Sequence, residues 1–345
     1  MAQVLVTGGT GFIGSWCVLA LLDAGHTVRT TVRDLRREPE LRSWLRAAAP
    51  FDDDRLTVVR ADLEHPDGWD DAVADCDFVL HVASPTLRRT PANDDELVVP
   101  AREGVLRVLR AARDARVRRV VLTSAFGAIG IGHPRRTAPF TEEDWTNVDG
   151  DIPPYQRSKT LAERAAWQFM TDEGAGMELA AIHPVGVLGP LLGPDDPPSL
   201  RLVRRMLEGR VPACPPFGMG FVDVRDVADL HVRAMTDPAA AGERFLAVAG
   251  HSLRVLDIAR ILHDRLGERA AKAPTRELPV WLARALGAVN PELRLLRHQL
   301  GRDLDATSGK AEKLLGWRAR PIEDTIAETA ESLLAHGIGA QTAGS

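Results

Sequence analysis

The chain has 345 residues, 45% of them hydrophobic, with a formal net charge of -5. That length supports a large core, a nucleotide-sized domain plus a second lobe, and the acid excess argues against a general nucleic-acid binder. No apolar run approaches the ~18 residues of a membrane span, and Cys17, Cys76 and Cys214 stand far apart in no metal spacing, as reduced thiols of a cytoplasmic protein would.

Residues 2–7 read as a short apolar strand at the very N-terminus, which leaves no room for a signal peptide before it. Gly8-Gly9-Thr10-Gly11-Phe12-Ile13-Gly14 follows, and Ser15 to Ala24 reads as a helix. Strand, glycine turn, helix is the context a dinucleotide site requires. The glycines let the backbone approach a pyrophosphate, and the helix N-terminus offers it unpaired N–H groups.

Thr27 to Val32 is a second strand, and Arg33 stands at its tip with Arg36 and Arg37 close behind. An acid there would select NAD through the ribose 2′-OH, whereas a guanidinium suits the 2′-phosphate of NADP. Asp34 is the alternative, should the strand run one residue further. Leu56 to Arg60 is a third strand. Asp62 and Leu63 lie at its exit, where Asp62 can reach an adenine amino group or cap the next segment. Phe78 to Val82 is a fourth strand ending in Ala83-Ser84-Pro85, small residues beside the expected cofactor. A helix over 97–115 leads to a fifth strand, Val117 to Leu122, ending at Thr123-Ser124-Ala125.

Strands alternating with helices at this spacing predict an α/β fold with a doubly wound parallel sheet, a Rossmann fold. Ligands bind such sheets beyond the carboxyl ends of the strands. Residues 132–154 read as a loop over that edge, a helix runs from about Tyr155 to Met170, and Glu178 to Ile182 is a sixth strand. Segments 254–267, 279–287 and 309–335 look helical. The expected division is 1–185 for the nucleotide domain, with 221–250 returning to it. A smaller C-terminal substrate-binding lobe takes 186–220 and 251–338, and 339–345 is a mobile tail.

Tyrosine occurs once, at 155, and lysine at four positions, one of which is 159. Four apart at a helix start, the two project from one face. An adjacent ammonium lowers a phenol's pKa and makes it a usable acid for an alkoxide left by hydride transfer. The same ammonium can bond the nicotinamide ribose.

The chain resembles the extended short-chain dehydrogenases/reductases, in the branch of dihydroflavonol reductase, cinnamoyl-CoA reductase and aldehyde or carbonyl reductases. The resemblance covers nearly the whole chain. It rests on Val6-Thr7-Gly8-Gly9-Thr10-Gly11-Phe12-Ile13-Gly14, Thr27-Val28-Arg29-Thr30-Thr31-Val32-Arg33-Asp34 and Pro100-Ala101-Arg102-Glu103-Gly104. It extends through Leu122-Thr123-Ser124, Tyr155-Gln156-Arg157-Ser158-Lys159, Phe221 to Ala228 and Lys313-Leu314-Leu315-Gly316-Trp317. It implies NADP(H) as cofactor, Arg33 as the phosphate ligand, Pro184 and Val187 against the nicotinamide, and a substrate lobe after 186.

One departure matters. The family's third catalytic residue is a serine past the fifth strand, and its position here is Ala125, with Ser124 one residue early. A one-residue shift in an extended strand turns a side chain to the other face. Ser124 reaches the site, or Thr123 or a loop group substitutes, or Tyr155 acts nearly alone.

Phe126, Ile129, Trp145, Leu188, Phe217, Met219 and Phe221 fall on segments expected to border the pocket, which suggests an apolar aryl or alkyl carbonyl substrate. The expected activity is NADPH-dependent reduction of that carbonyl, by a monomer or homodimer that binds neither nucleic acid, metal nor membrane. The alternatives are a sugar-nucleotide epimerase or dehydratase of the same fold, and a non-catalytic NADP sensor.

Overall fold

Five of the first six strands are four to six residues long, and the two at the centre of the sheet are almost wholly apolar. Such runs bury both faces, which a sheet covered by helices on each side requires. The structure, a computed structural model, describes residues 1–85, 93–194, 197–290, 293–294 and 296–337. The tail expected to be mobile, 339–345, lies outside the described residues.

The chain alternates β1 (Gln3–Val6), α1 (Phe12–Asp23), β2 (Thr27–Val32), α2 (Glu38–Ala48), β3 (Leu56–Arg60), α3 (Trp69–Val73) and β4 (Phe78–His81). It continues with α4 (Asp95–Asp114), β5 (Arg119–Thr123), α5 (Pro154–Glu173) and β6 (Glu178–Pro184). Then come β7 (Gly186–Leu188), α6 (Arg201–Leu207), β8 (Gly218–Met219), β9 (Phe221–Asp223), α7 (Val224–Thr236) and β10 (Arg244–Ala247). The last elements are β11 (Leu253–Arg254), α8 (Val255–Leu266), α9 (Val280–Leu286), β12 (Asp303–Leu304), α10 (Gly309–Leu315) and α11 (Ile322–Ala335).

The main sheet has seven strands in the order β3-β2-β1-β4-β5-β6-β10, every pair parallel. This is the doubly wound Rossmann arrangement. The order reverses between β1 and β4, so the crevice for a ligand opens at their carboxyl ends. One core packs α1, α7 and the C-terminal α10 against the sheet; a second lies under α3, α4 and α5. A third core joins α6, α8 and α11 beside a three-stranded sheet of order β11-β8-β12.

Two expectations need correction. The first helix starts at Phe12, not Ser15, because Gly11 in extended backbone (φ -79, ψ 162) already serves as its N-cap. The stretch 309–335 is two helices. Gly316, left-handed at φ 60, ends the first, and Pro321 caps the second. Among the described residues no helix is long and apolar enough to cross a membrane, and no cluster of three or more His, Cys, Asp or Glu could hold a metal.

Candidate active site

The glycine turn is built for close approach. Gly8 has φ +74, and a Cβ there would lie 3.0 Å from the Ala83 Cβ. A Cβ at Gly9 would lie 2.2 Å from Thr30 Oγ1, and one at Gly14 would lie 2.2 Å from the Gly8 carbonyl oxygen. The turn is pinned to β2, since Gly8 N donates to Thr31 Oγ1 (3.0 Å) and Gly9 N to the Thr31 carbonyl (3.2 Å). The helical ladder has no partner for the first N–H groups of α1, on Phe12, Ile13 and Gly14. Ala83 N donates to Thr7 Oγ1 (2.9 Å), which locks β4's exit against the turn. These donors converge where the strand order reverses, a site suited to a pyrophosphate.

Strand β2 ends at Val32, so Arg33 stands just beyond its tip, exposed. Among the described residues it has no hydrogen-bond or ion-pair partner. Asp34 is engaged elsewhere. Its carboxylate accepts from Arg36 N (3.0 Å) and Arg36 Nε (2.9 Å), and the Arg36 hydrogen bonds hold it down to about 2. The geometry therefore fits a phosphate at this end of a dinucleotide better than a bare ribose. Asp62 closes an Asx turn on Glu64 N (3.1 Å), with its side chain half-buried at the exit of β3. Leu63 is buried beside it and lines a cavity with Ala83, Ser84, Thr123, Ser124 and Lys159.

Tyr155 and Lys159 lie in the first two turns of α5, which Pro153 and Pro154 start. Lys159 Nζ donates to the Thr123 carbonyl (3.3 Å), so the ammonium is held at the end of β5. Burial pulls it down to about 8, with the Glu163 carboxylate opposing. Tyr155 is about half exposed. The expected lowering of its phenol by the ammonium is not found. Burial raises it instead, and Lys159 donates to the Thr123 carbonyl.

The last residue of β5 and the two after it point apart. Thr123 Oγ1 bonds His231 Nε2 (2.7 Å) and Ser124 Oγ donates to Glu163 Oε2 (2.6 Å), both buried. Ala125, in extended backbone, has only a methyl group. The Ser124 hydroxyl is thus engaged by Glu163, while the residue itself lines the cavity beside Lys159.

The expected pocket residues divide. Phe126 packs edge-on against Phe140 (centroids 5.6 Å), and Ile129 is wholly buried in the main core. Trp145 is stacked under the Arg244 guanidinium (3.8 Å). Leu188, Phe217 and Phe221 belong to the lobe's core, with Met219 partly buried against it. Phe221 and Met219 come together over Gly186, where a Cβ would lie 2.7 Å from the Phe221 ring. Pro184 and Val187 flank this point at the end of β6 and in β7, both buried.

Four polar residues here were not singled out from the sequence: His81, Glu163, His183 and Arg244. Glu163 carried a signal, since it continues the Tyr155, Lys159 face by one more turn.

Residues 4–248 match the model of the NAD dependent epimerase/dehydratase family. The chain is 35% identical over 277 residues to a dihydroflavonol 4-reductase of Zea mays, covering 77% of this chain and 74% of that protein. It is 32% identical over 339 residues to a cinnamoyl-CoA reductase of Medicago truncatula, covering 96% and 95%. The yeast methylglyoxal/isovaleraldehyde reductase, solved with NADPH, has a TM-score of 0.77 at 25% identity, covering 97% of this chain and 99% of that one. By these matches the chain belongs to the NAD dependent epimerase/dehydratase family, in the dihydroflavonol and cinnamoyl-CoA reductase branch of the extended short-chain dehydrogenases/reductases.

Proposed function

We propose that this protein is an NADP-dependent oxidoreductase that reduces an aldehyde or ketone to the alcohol. The observation that carries the reading is the placement of Tyr155 and Lys159 on one face of α5, at the carboxyl edge of a sheet whose glycine turn and Arg33 fit a phosphorylated dinucleotide. When bound, the reduced nicotinamide would supply the hydride that the carbonyl carbon accepts. Tyr155 supplies the proton to the oxygen, so one hydride and one proton complete the alcohol. Lys159, held beside the end of β5, would bind the ribose hydroxyls. Gly8, Gly11, Phe12, Ile13 and Gly14 hold the pyrophosphate, Arg33 the 2′-phosphate, and Asp62 and Leu63 the adenine side. Ala83, Ser84, Pro184 and Val187 would hold the nicotinamide and its ribose.

Phe221, Met219 and Leu188 support an apolar or aromatic substrate. The pairing of β10 with β6 supports assigning 1–185 and 221–250 to the cofactor domain, and 186–220 and 251–338 to the substrate lobe. Three buried free cysteines fit a reducing cytoplasm, and monomer or homodimer remains the proposed state. The Ala125 position favours a second reading, an NADP sensor, since losing one oxyanion donor costs ~3 kcal/mol, about a hundredfold in rate.

The test is oxidation of NADPH, followed by nicotinamide absorbance, against a panel of aryl and alkyl aldehydes and ketones. Turnover with NADPH, at least tenfold less with NADH, and a loss of about 10²-fold or more in Tyr155→Phe are expected. Tight NADPH binding with no turnover, in the wild type and in Ala125→Ser alike, would sink the reductase reading in favour of the sensor.

A further inference from the structure

Beneath Lys159, one helical turn further along α5, Glu163 is 1% exposed. A carboxylate has about four acceptor sites, and here all four are taken. Ser124 Oγ (2.6 Å) and His183 Nε2 (2.7 Å) reach Oε2, while Arg244 Nε (2.7 Å) and Trp167 Nε1 (3.2 Å) reach Oε1. These partners come from the end of β5, the end of β6, the start of β10 and α5 itself. A buried carboxylate so fully bonded is a fixed charge, unable to swing toward solvent. Arg244 extends the clamp outward. Its guanidinium stacks on Trp145 (3.8 Å) and donates to the Asp144 carbonyl (2.9 Å), which ties the loop before α5 to the same carboxylate.

We propose that Glu163 is the positioning residue of this site, a fixed buried anion one helical turn from Lys159 that keeps the ammonium protonated at working pH, where the chain lacks the third catalytic hydroxyl at Ala125. The proposal rests on the reductase reading for its use of the Lys159 charge. Among the described residues, the groups that act on Lys159 leave Glu163 as the only anion. His81 on β4 is held neutral by its burial, with a secondary push from the Lys159 charge; Thr123 offers a carbonyl; Arg244 and His183 are bonded to the carboxylate; Tyr155 stands one turn earlier on α5. Burial already weakens the ammonium, to about 8, and Glu163 works against it. Glu163 itself is held at about 2. Burial would raise it, but His183, Arg244 and Ser124 outweigh that.

The experiment measures Lys159 protonation directly on the ligand-free full chain, so it does not depend on finding a substrate. Competitive acetylation across a pH series, read by mass spectrometry, is clean because the chain has four lysines. In Glu163→Gln the Lys159 titration is expected to fall by about one pH unit or more. In Arg244→Gln, which removes a cation but keeps the carboxylate, it is expected to rise. NADPH affinity across the same pH range should lose its alkaline limb earlier in Glu163→Gln and later in Arg244→Gln. Should Glu163→Gln fail to fold, the upward shift in Arg244→Gln still decides. A Lys159 titration that stays put in the folded variants would show Glu163 to be a packing residue and overturn the proposal. Absence of carbonyl turnover in the wild type would instead overturn the reductase reading alone.

Discussion

Ser124 and Ala125 show how much chemistry one residue of register carries. A serine hydroxyl has one proton to give, and Ser124 gives it to Glu163 at 2.6 Å. Ser124→Ala should therefore act on stability rather than on catalysis. Loss of a hydrogen bond to a buried charge costs about 1.5–3 kcal/mol, so thermal denaturation should show a lower midpoint while kcat with the best carbonyl changes less than about threefold. A fall of kcat toward that of Tyr155→Phe would mean that Ser124 turns to the substrate after all. Arg33 makes the complementary case. Its guanidinium has no partner among the described residues, so it has no structural duty to confuse the result. Arg33→Gln should weaken NADPH binding by about 10- to 100-fold, the worth of a charge-assisted bond to phosphate, and leave NADH binding unchanged. Fluorescence titration with both nucleotides reads this directly, and equal losses for the two would remove Arg33 from the phosphate site.

At the level of elements, the site depends on α1 starting hard against the turn after β1. The last glycine of the stretch is the tightest point, because a methyl at Gly14 would sit 2.2 Å from a backbone oxygen that cannot rotate away. Gly14→Ala should push α1 off β1, cost about 1–3 kcal/mol as overpacking does, and lose NADPH binding together with stability. Urea denaturation and nucleotide titration on one sample check both; unchanged stability would mean that the helix simply slides. This part of the fold was legible in the sequence because glycine spacing and apolar strands are local signals. So was the α5 pair, since a single tyrosine four residues before a rare lysine stands out by counting alone. What was not legible depends on contacts between distant segments. Glu163, His183 and Arg244 read as an ordinary helical acid, a strand-end histidine and a surface arginine until β6 and β10 pair and bring them together. The short strands β8, β11 and β12 likewise exist only through one another. Within 309–335, helical periodicity masked a break that Gly316 and Pro321 mark openly, and the punctuation should have outweighed the pattern.

Across the whole molecule, the edge that would hold the cofactor also makes the fold sensitive to acid. His81 ends β4 with Nδ1 on Thr7 Oγ1 (2.9 Å), and His231 of α7 has Nε2 on Thr123 Oγ1 (2.7 Å) and Nδ1 on the Val227 carbonyl (2.7 Å). Both are buried, and burial pulls His81 to about 3, with the Lys159 charge adding to it, and His231 to about 4. In the unfolded chain each imidazole titrates near its ordinary value of about 6.5. Between these values the unfolded state binds protons that the folded state refuses, so acid favours unfolding. Stability is complete above about pH 6.5 and falls as pH drops through it, by about 1.4 kcal/mol per pH unit for each histidine. Glu163 adds to the loss lower down, between its ordinary value of 4.5 and the folded value of about 2. The denaturation midpoint should therefore be flat above neutrality and decline from about pH 6.5 to 4. His231→Gln keeps a donor for Thr123 but cannot take up a proton, so it should remove about half of that slope at some cost in stability. A midpoint that holds steady down to pH 5 in the wild type would show that neither histidine is sealed from water. The strand ends beside Lys159 would then be open to solvent, and burial could no longer account for a weakened ammonium there.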